Sequence, residues 1–375
     1  MIRLRQRSGT FLPTFAQHHL LRASLLGDPA RVRESFETWK SRVDLDAIDH
    51  GSMRLLPLLY RNLQRAAIDD PMLSRLKGVY RQVWFRNQLI LDQGVRLLDT
   101  LAEAGIPAIV LKGAALAGTV YDEPALRPME DFDLLVPRAQ FAQAVAVMRG
   151  AGWSFDPPLA DPEPHFVFQH AIGFRRDGGG AADLHWTAAG LPLNGAGAHA
   201  VHASTQPHRI GDRETRTLGP ADQLLQICTH ATRFNPDIPP IRWAADAFLL
   251  LARAPFPWDS LIAPARTRGL SLVMHRALEY LRDGLGVDVP DDIMTALARH
   301  RLPERLSLAV RSGSGRLPYL QFVLDWTHHA LVDLPGAPRR ILLLPRFLRS
   351  YCRVETTAAL LRLVTSRLTL NTRRR

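Results

Sequence analysis

Cysteine is scarce in this chain: its 375 residues include only Cys228 and Cys352, which are far apart in the sequence. Two distant cysteines provide neither a disulfide framework nor the CxxC pairs of a zinc knuckle. The remaining composition is that of an ordinary globular protein, with 46% hydrophobic and 22% charged residues. We therefore expect a protein of the reducing cytoplasm.

Long apolar runs are absent as well. No uninterrupted apolar stretch approaches the ~20 residues that a membrane helix needs. The first residues, MIRLRQRSGTFLP, are basic but lack the apolar segment of a secretory signal. We therefore expect neither a transmembrane segment nor a secretory signal.

Lysine is the third scarce residue, since only Lys40, Lys77 and Lys112 stand among 47 basic residues. Residues 301–375 hold fourteen arginines against four acidic residues, which is +10 of the net charge of +11. The arginine bias is typical of a GC-rich genome and weakens the high pI as a sign of nucleic-acid binding. We favour a solvated helical surface for this region. Binding to nucleic acid, an acidic partner or an anionic membrane is the alternative.

The apolar pattern divides the chain into helical and mixed parts. Residues 14–104 repeat apolar residues at helical spacing and stop at Gly105, which predicts helices. From about residue 219 the pattern is helical again. Between these parts, a Gly/Ala/Pro-rich loop at 188–200 indicates a flexible element beside a site.

The mixed part contains short predicted strands. Residues 106–113 form a short β-branched run ending in glycine, and the mainly apolar residues 132–136 predict a second strand. An amphipathic helix is predicted over 138–152. Residues 166–176 and 181–186 flank a DGGG turn, which predicts a β-hairpin.

Two aspartates enter the second predicted strand. Residues i and i+2 of a strand point to the same face, so Asp131 and Asp133 aim together. Neighbouring carboxylates resist ionisation unless a cation lies between them, and a divalent ion with oxygen ligands meets this need. Asp183, in a later predicted strand, is a candidate third carboxylate. Alternatively, Asp131 caps a helix or turn and Asp183 begins a hairpin strand.

The stretch before these aspartates favours phosphate binding. IVLKGAALAG predicts a strand, a glycine and a helix, and a helix N-terminus favours an anion. Lys112 precedes Gly113 and offers a point charge to a triphosphate. Arg127 could form a bidentate fork to phosphate. A solvated surface lysine is the alternative for Lys112.

Together these motifs resemble the DNA polymerase beta-type nucleotidyltransferase superfamily. The order LKGAAL, DFDLLV and DLHW is similar to that of a bacterial nucleotidyltransferase family within it, and the resemblance extends over roughly residues 35–295. The superfamily usually has Ser after the motif glycine, whereas Ala114 follows Gly113 here. Backbone amides and Lys112 would then bind phosphate without that hydroxyl.

The resemblance implies an α+β fold, in which a mixed sheet with flanking helices forms the catalytic core between helical extensions. The expected regions are a helical N-terminal region, the core, a helical region that closes the site and a basic helical C-terminal region: 1–104, 105–190, 191–300 and 301–375.

The resemblance also implies a mechanism. Asp131, Asp133 and Asp183 would ligate two Mg²⁺ or Mn²⁺ ions, and Asp183 would help to deprotonate the acceptor. An NTP would be the co-substrate, held by Lys112, Gly113 and Arg127, and pyrophosphate would be released.

Four further residues are candidates for nucleotide binding: His185, His230, Arg242 and Asp246. His185 shares a strand face with Asp183, although it could instead pack in the hairpin. Arg242 and Asp246 are spaced i, i+4 and could simply pair on a helix. The sequences around His230, Arg242 and Asp246 fit the family pattern, which keeps these residues among the candidates.

The acceptor stays open. The resemblance favours a hydroxyl on a peptide, a protein or a small molecule, including peptide natural-product tailoring. A nucleotide-binding or interaction module without catalysis is one alternative, and an RNA-directed transferase is another. The presence of all three carboxylates argues against the first alternative, and nucleic acid is not the favoured partner.

Overall fold

The computed structural model describes residues 11–159, 162–188, 204–232, 241–253, 255–299, 344–351, 354–359 and 362. The α-helices, in chain order α1 to α14, are Phe15–Leu25, Pro29–Lys40, His50–Met53, Leu56–Arg65, Leu73–Glu103, Lys112–Thr119, Phe141–Gly150, Glu163–Phe168, Pro220–Ala231, Arg242–Arg253, Asp259–Thr267, Ser271–Leu285, Asp291–Ala298 and Leu344–Tyr351. The strands β1 to β7 are Ile109–Val110, Phe132–Leu135, Trp153–Phe155, Ala171–Arg176, Gly180–His185, Thr205–Ile210 and Arg213–Leu218.

The seven strands form one mixed sheet in the order β3-β4-β5-β2-β1-β7-β6. Strand β2 runs parallel to β5, and β1 runs parallel to β7, whereas the other neighbours are antiparallel. Helices flank this sheet. The predicted α+β fold class, a mixed sheet with helices around it, is therefore confirmed.

Side-chain alternation in β2 and β5 separates an apolar face from a polar one. Phe132 and Leu134 of β2 join Leu184 of β5 in a core that includes residues of α5 and α7. Asp133 and Leu135 alternate with these side chains and point to the other face. The sheet therefore has one face packed by helices and one face on which carboxylates are gathered.

Helix α5 passes very close to the sheet. A Cβ atom added at Gly94 would lie 2.1 Å from the Phe132 ring, so this glycine permits the contact between helix and strand. Asn87, about two turns earlier on the buried side of the helix, is fully buried. Helix α5 thus packs directly against β2.

A second core joins helices that precede β1 to helices that follow β7. It contains Trp39 of α2 and Leu59 of α4 together with Leu225 of α9 and Leu278 of α12. The indole nitrogen of Trp243 also donates to the carbonyl of Phe11, at 3.1 Å. Helices on either side of the sheet-forming segment therefore share one core, and the fourfold division of the chain stays a prediction.

Two local features differ from the sequence prediction. Strands β6 and β7 form a hairpin at the sheet edge, which the sequence analysis did not predict because its TQPHRI and RETRTL segments have few apolar residues. Residues 163–168 are helical, although residues from 166 onward were predicted as part of a strand. Pro162 directly precedes this helix, and proline suits the start of a helix better than a strand.

Two predictions fall largely outside the described residues. The loop predicted at 188–200 is described only at Ala188, and most of the basic region at 301–375 also lies outside. Among the helices that the structure describes, none has the length and apolar character that membrane crossing requires.

The close approach at Gly94 can be tested against Gly78 of the same helix, where an added Cβ would meet nothing within 4 Å. We expect Gly94→Ala to destabilise the protein by about 1–3 kcal/mol, because the methyl group must displace the Phe132 ring. Gly78→Ala should stabilise it by up to about 1 kcal/mol through helix propensity. Urea unfolding measures both. Equal stability of the two variants would contradict the contact.

Candidate active site

The parallel register of β2 and β5 assembles the site. Asp133 lies beside Asp183, and Leu135 lies beside His185. Because alternate residues of a strand share a face, Asp133, Asp183 and His185 all point away from the packed face of the sheet. One possible ligand atom from each of these three side chains lies within 4.8 Å of the others. The pairing of β2 with β5, and neither strand alone, brings the carboxylates of Asp133 and Asp183 together.

Lys112 reaches this group from the junction of β1 and α6. The backbone nitrogen of Leu111 donates to the carbonyl of Asp133, at 3.0 Å, which ties the junction to β2. The backbone of Lys112 has a φ of 45°, a left-handed conformation that residues other than glycine rarely adopt. Its Nζ lies 2.5 Å from Oδ1 of Asp133 and 3.3 Å from Nε2 of His185.

Asp133 is ionised despite being buried. Burial raises the pKa of this carboxyl, but the charge of Lys112 and the hydrogen bond from His185 outweigh it and hold the pKa well below its usual value. Burial and the Lys112 charge lower the pKa of His185, so this imidazole is neutral near pH 7. An ionised carboxylate can only accept hydrogen bonds. We therefore assign the proton of His185 to Nε2, which lies 2.9 Å from Oδ1 of Asp133.

This assignment leaves Nδ1 of His185 as a buried acceptor. It has no hydrogen-bond partner within the part of the chain that the structure describes. Buried polar atoms are nearly always satisfied, and exceptions mark strain, an unseen ligand or a functional group. The orphaned nitrogen therefore adds to the signs that this cluster is a functional site.

Asp131 lies one residue before β2 and is partly exposed. Burial, followed by the charges of Asp133 and Asp183, raises the pKa of Asp131 to about 7. Lys112 and Arg242 act in the opposite direction but do not compensate. The negative charge of the carboxylates is therefore larger than the positive charge of the nearby cations. A divalent ion would neutralise this excess.

The donor set fits a divalent metal. Two carboxylates and an imidazole are ordinary ligands for such ions, with carboxylate favouring Mg²⁺ and Mn²⁺ and imidazole favouring transition metals. The sequence analysis expected Asp131, Asp133 and Asp183 as ligands. The compact group instead consists of Asp133, Asp183 and His185, with Asp131 coupled to it by charge. The assignment of individual ligands stays a prediction.

Arg127 forms a buried network rather than pointing freely into the site. Its Nε and Nη2 donate to the two carboxylate oxygens of Asp246, each at 2.8 Å, and the hydroxyl of Tyr121 donates to the same carboxylate at 2.7 Å. Asp246 therefore pairs across 119 residues with Arg127. The guanidinium fork that was expected to hold a triphosphate is occupied by this contact.

Two other predicted residues, Gly113 and Arg242, lie beside this network. A Cβ atom added at Gly113 would lie 2.8 Å from Nη1 of Arg127, so Gly113 packs against the guanidinium. Arg242 donates to the carbonyl of Pro128, at 2.7 Å. Burial, followed by the charge of Arg127, lowers the pKa of Arg242 to about 10, so it stays positive near Asp131. His230 is exposed near the end of α9, and its role stays a prediction.

Asn87 is a positioning residue that sequence reasoning missed. Its amide nitrogen donates to the carbonyls of Pro124 and Arg127, at 2.6 and 2.9 Å, and its amide oxygen accepts from the backbone nitrogen of Met129 at 3.1 Å. These bonds hold the segment that leads into Asp131. An asparagine on the buried stripe of an amphipathic helix was the available signal, because a buried amide must find partners.

A sequence profile of a protein family described as uncharacterised nucleotidyltransferase matches residues 51–286, which is more than half of the chain. The matched range includes the whole cluster around Asp133 and both of its partner strands. The chain belongs to this nucleotidyltransferase family. No curated protein matches the chain. Helices α1, α2 and α13 lie outside the matched range, although they pack into the same core.

The raised pKa of Asp131 predicts a pH-dependent stability in metal-free buffer. Between about pH 4 and about pH 7, folded Asp131 keeps a proton that the unfolded chain has lost, so its contribution to the free energy of unfolding falls as the pH rises. Asp133, whose pKa is lowered, loses its contribution only at more acidic pH. Buried histidines such as His185 act in the opposite direction, because their folded-state pKa is lowered.

The difference between the parent and Asp131→Asn therefore isolates this carboxyl. We expect urea unfolding in EDTA to show the parent losing stability relative to Asp131→Asn as the pH rises through this window. A difference that does not change with pH would mean that Asp131 is not held near its neutral form.

The Arg127–Asp246 pair predicts a second outcome. Arg127→Met should destabilise the protein by about 3–5 kcal/mol, because Asp246 would be left buried without its partner. The double variant Arg127→Met/Asp246→Leu should recover much of this loss. If the recovered double variant binds NTP as tightly as the parent, Arg127 is structural. If it folds but loses NTP affinity, Arg127 also serves the triphosphate.

Proposed function

We propose that this nucleotidyltransferase moves an NMP group from an NTP to a hydroxyl-bearing acceptor in a divalent-metal-dependent reaction that releases pyrophosphate. The observation that carries the proposal is the strand register that puts Asp133 beside Asp183 and His185, with Asp131 coupled by charge. The predicted relationship to the DNA polymerase beta-type superfamily belongs to the same proposal. Membership in a nucleotidyltransferase family supports it.

The reaction can be written on the residues present. The acceptor oxygen forms a bond to the α-phosphorus, the bond from that phosphorus to the pyrophosphate oxygen breaks, and the acceptor proton moves to a carboxylate. Asp183 is the candidate base because it is partly exposed, whereas Asp133 is buried and paired. Bound Mg²⁺ or Mn²⁺ would stabilise the charge that develops on the phosphate oxygens.

The start of α6 is the candidate triphosphate site. Its N-cap residue, Leu111, provides no side-chain hydrogen bond to the first turn, and uncapped amides at a helix N-terminus favour an anion. Lys112 adds a positive charge at the same place. Gly113 is required for packing against Arg127, and close approach of phosphate is its second proposed role.

The acceptor class is part of the proposal. A peptide, a protein or a small molecule is favoured. A catalytically inactive nucleotide-binding module would retain NTP binding without releasing pyrophosphate. An RNA-directed transferase would label RNA and bind it with a strong dependence on salt concentration.

The test is incubation with each of the four α-labelled NTPs, Mg²⁺ or Mn²⁺ and an extract of the source cell. We expect label in a macromolecule or small molecule, together with pyrophosphate release. Sensitivity of the labelled product to protease or to ribonuclease separates the acceptor classes. Asp133→Asn should reduce labelling to background, because it removes a charge from the centre of the site.

Asp177→Asn is the matched control, since Asp177 is exposed in the turn between β4 and β5. It should label like the parent. Circular dichroism and melting curves check that both variants are folded. Full labelling by a folded Asp133→Asn protein would rule out the proposed chemistry, and NTP binding without any product would favour the inactive module.

A further inference from the structure

The ammonium of Lys112 lies against Asp133, a candidate ligand of the proposed metal site. Its Nζ is 2.5 Å from Oδ1 of Asp133 and 3.3 Å from Nε2 of His185, and these two atoms are 2.9 Å from each other. A divalent ion contacts carboxylate oxygens at about 2.0–2.2 Å. The ammonium and a metal ion bound to the same oxygen of Asp133 would therefore compete for space and repel each other.

Asp133 needs a cation in either state. Its side chain is 3% exposed, and burying an ionised carboxylate without a partner is strongly unfavourable. Arg127 contributes positive charge nearby, but its guanidinium donates two hydrogen bonds to the carboxylate of Asp246. Within the described residues, Lys112 is the cationic side chain that forms an ion pair with Asp133.

The backbone of Lys112 gives an independent sign of function. With a φ of 45°, Lys112 adopts a conformation that glycine would adopt without strain. Ala67 is the other non-glycine residue with positive φ within the described part of the chain. Backbone strain of this kind persists where the surrounding structure enforces it, often at functional sites. Here the strained residue carries the ammonium that contacts Asp133.

We propose that Lys112 is a resident counter-ion that neutralises Asp133 in the free enzyme and must leave it when the divalent metal binds. This inference rests on the proposed function, since it concerns the metal and the triphosphate of that reaction. The displaced ammonium needs another anion, and the triphosphate at the start of α6 is the nearest one that the reaction provides. Metal binding and triphosphate binding are thereby coupled, and by linkage each strengthens the other.

The coupling has a functional consequence. Without a triphosphate, Lys112 keeps its place and metal alone binds weakly. With a triphosphate present, the ammonium gains a partner on leaving Asp133, and the metal site opens. The enzyme would therefore assemble its metal site mainly when the nucleotide is present.

The experiment is calorimetric titration with Mn²⁺ alone, with no nucleotide, on the full chain and on Lys112→Met. Met keeps the length of the side chain and removes the charge. We expect Lys112→Met to bind Mn²⁺ about tenfold more tightly than the parent, or about 1.4 kcal/mol, because the competing ammonium is gone. Metal-free Lys112→Met should melt below the parent, and Mn²⁺ should raise its melting temperature more than that of the parent.

The coupling is measured with inorganic triphosphate in the presence of excess Mn²⁺ and in EDTA. In the parent, Mn²⁺ should strengthen triphosphate binding substantially. In Lys112→Met this gain should be much smaller. Lys77→Met is the matched control, because Lys77 is an exposed lysine on α5 for which the described residues provide no ion pair. It should behave like the parent in both titrations.

Lys112→Gly provides a second variant if Lys112→Met does not fold without metal. Glycine removes the charge and also relieves the positive φ, so it too should bind Mn²⁺ more tightly than the parent. Equal or weaker Mn²⁺ binding by folded Lys112→Met and Lys112→Gly would overturn the proposal and leave Lys112 as a structural counter-ion.

The outcome is separable from that of the transferase assay. Tighter Mn²⁺ binding by both variants supports the counter-ion role even if no labelled product is ever found. Metal-dependent transfer without a gain in Mn²⁺ affinity supports the proposed function and overturns the role of Lys112. Absence of Mn²⁺ binding by the parent and by every variant overturns both.

Discussion

The need to neutralise a buried carboxylate governs the centre of this protein. Asp133 lies in the middle of a sheet, beside Asp183, and is charged only because Lys112 and His185 contact it. The strained backbone at Lys112 and the assigned tautomer of His185 both follow from this requirement. Burial, followed by the charges of Asp133 and Asp183, instead raises the pKa of Asp131 to about 7. The two aspartates of one short motif therefore have opposite electrostatic states.

The site is held in place by contacts between distant parts of the chain. Asn87 of α5 fixes the segment before Asp131, and the buried pair of Arg127 with Asp246 ties that segment to α10. Helices before β1 and helices after β7 share one core, which holds them together. Neighbouring carboxylates repel each other, so such a site needs rigid support from its surroundings. These helices provide that support.

Much of the fold could be predicted from local pattern. Apolar periodicity indicated the helices before Gly105 and after residue 219, a β-branched run indicated β1, and an apolar run indicated β2. The DGGG turn indicated the hairpin of β4 and β5. The hairpin of β6 and β7 was missed because polar edge strands lack the apolar alternation that marks a buried strand. The helix at 163–168 was missed because its aromatic residues favour strands. Pro162, which directly precedes it, is compatible with the start of a helix.

The sequence by itself determined that Asp183 and His185 share a face, because side-chain alternation within a strand is a local property. It also determined the order of strand, lysine, glycine and helix that the structure shows at β1 and α6. Only the tertiary structure decided that Asp133 lies beside Asp183, since register depends on how two distant strands pack. It likewise decided that Arg127 forms an ion pair with Asp246 instead of pointing into the site, and that Lys112 forms an ion pair with Asp133. Long-range pairing of charges depends on three-dimensional proximity and burial, which spacing along the chain does not encode.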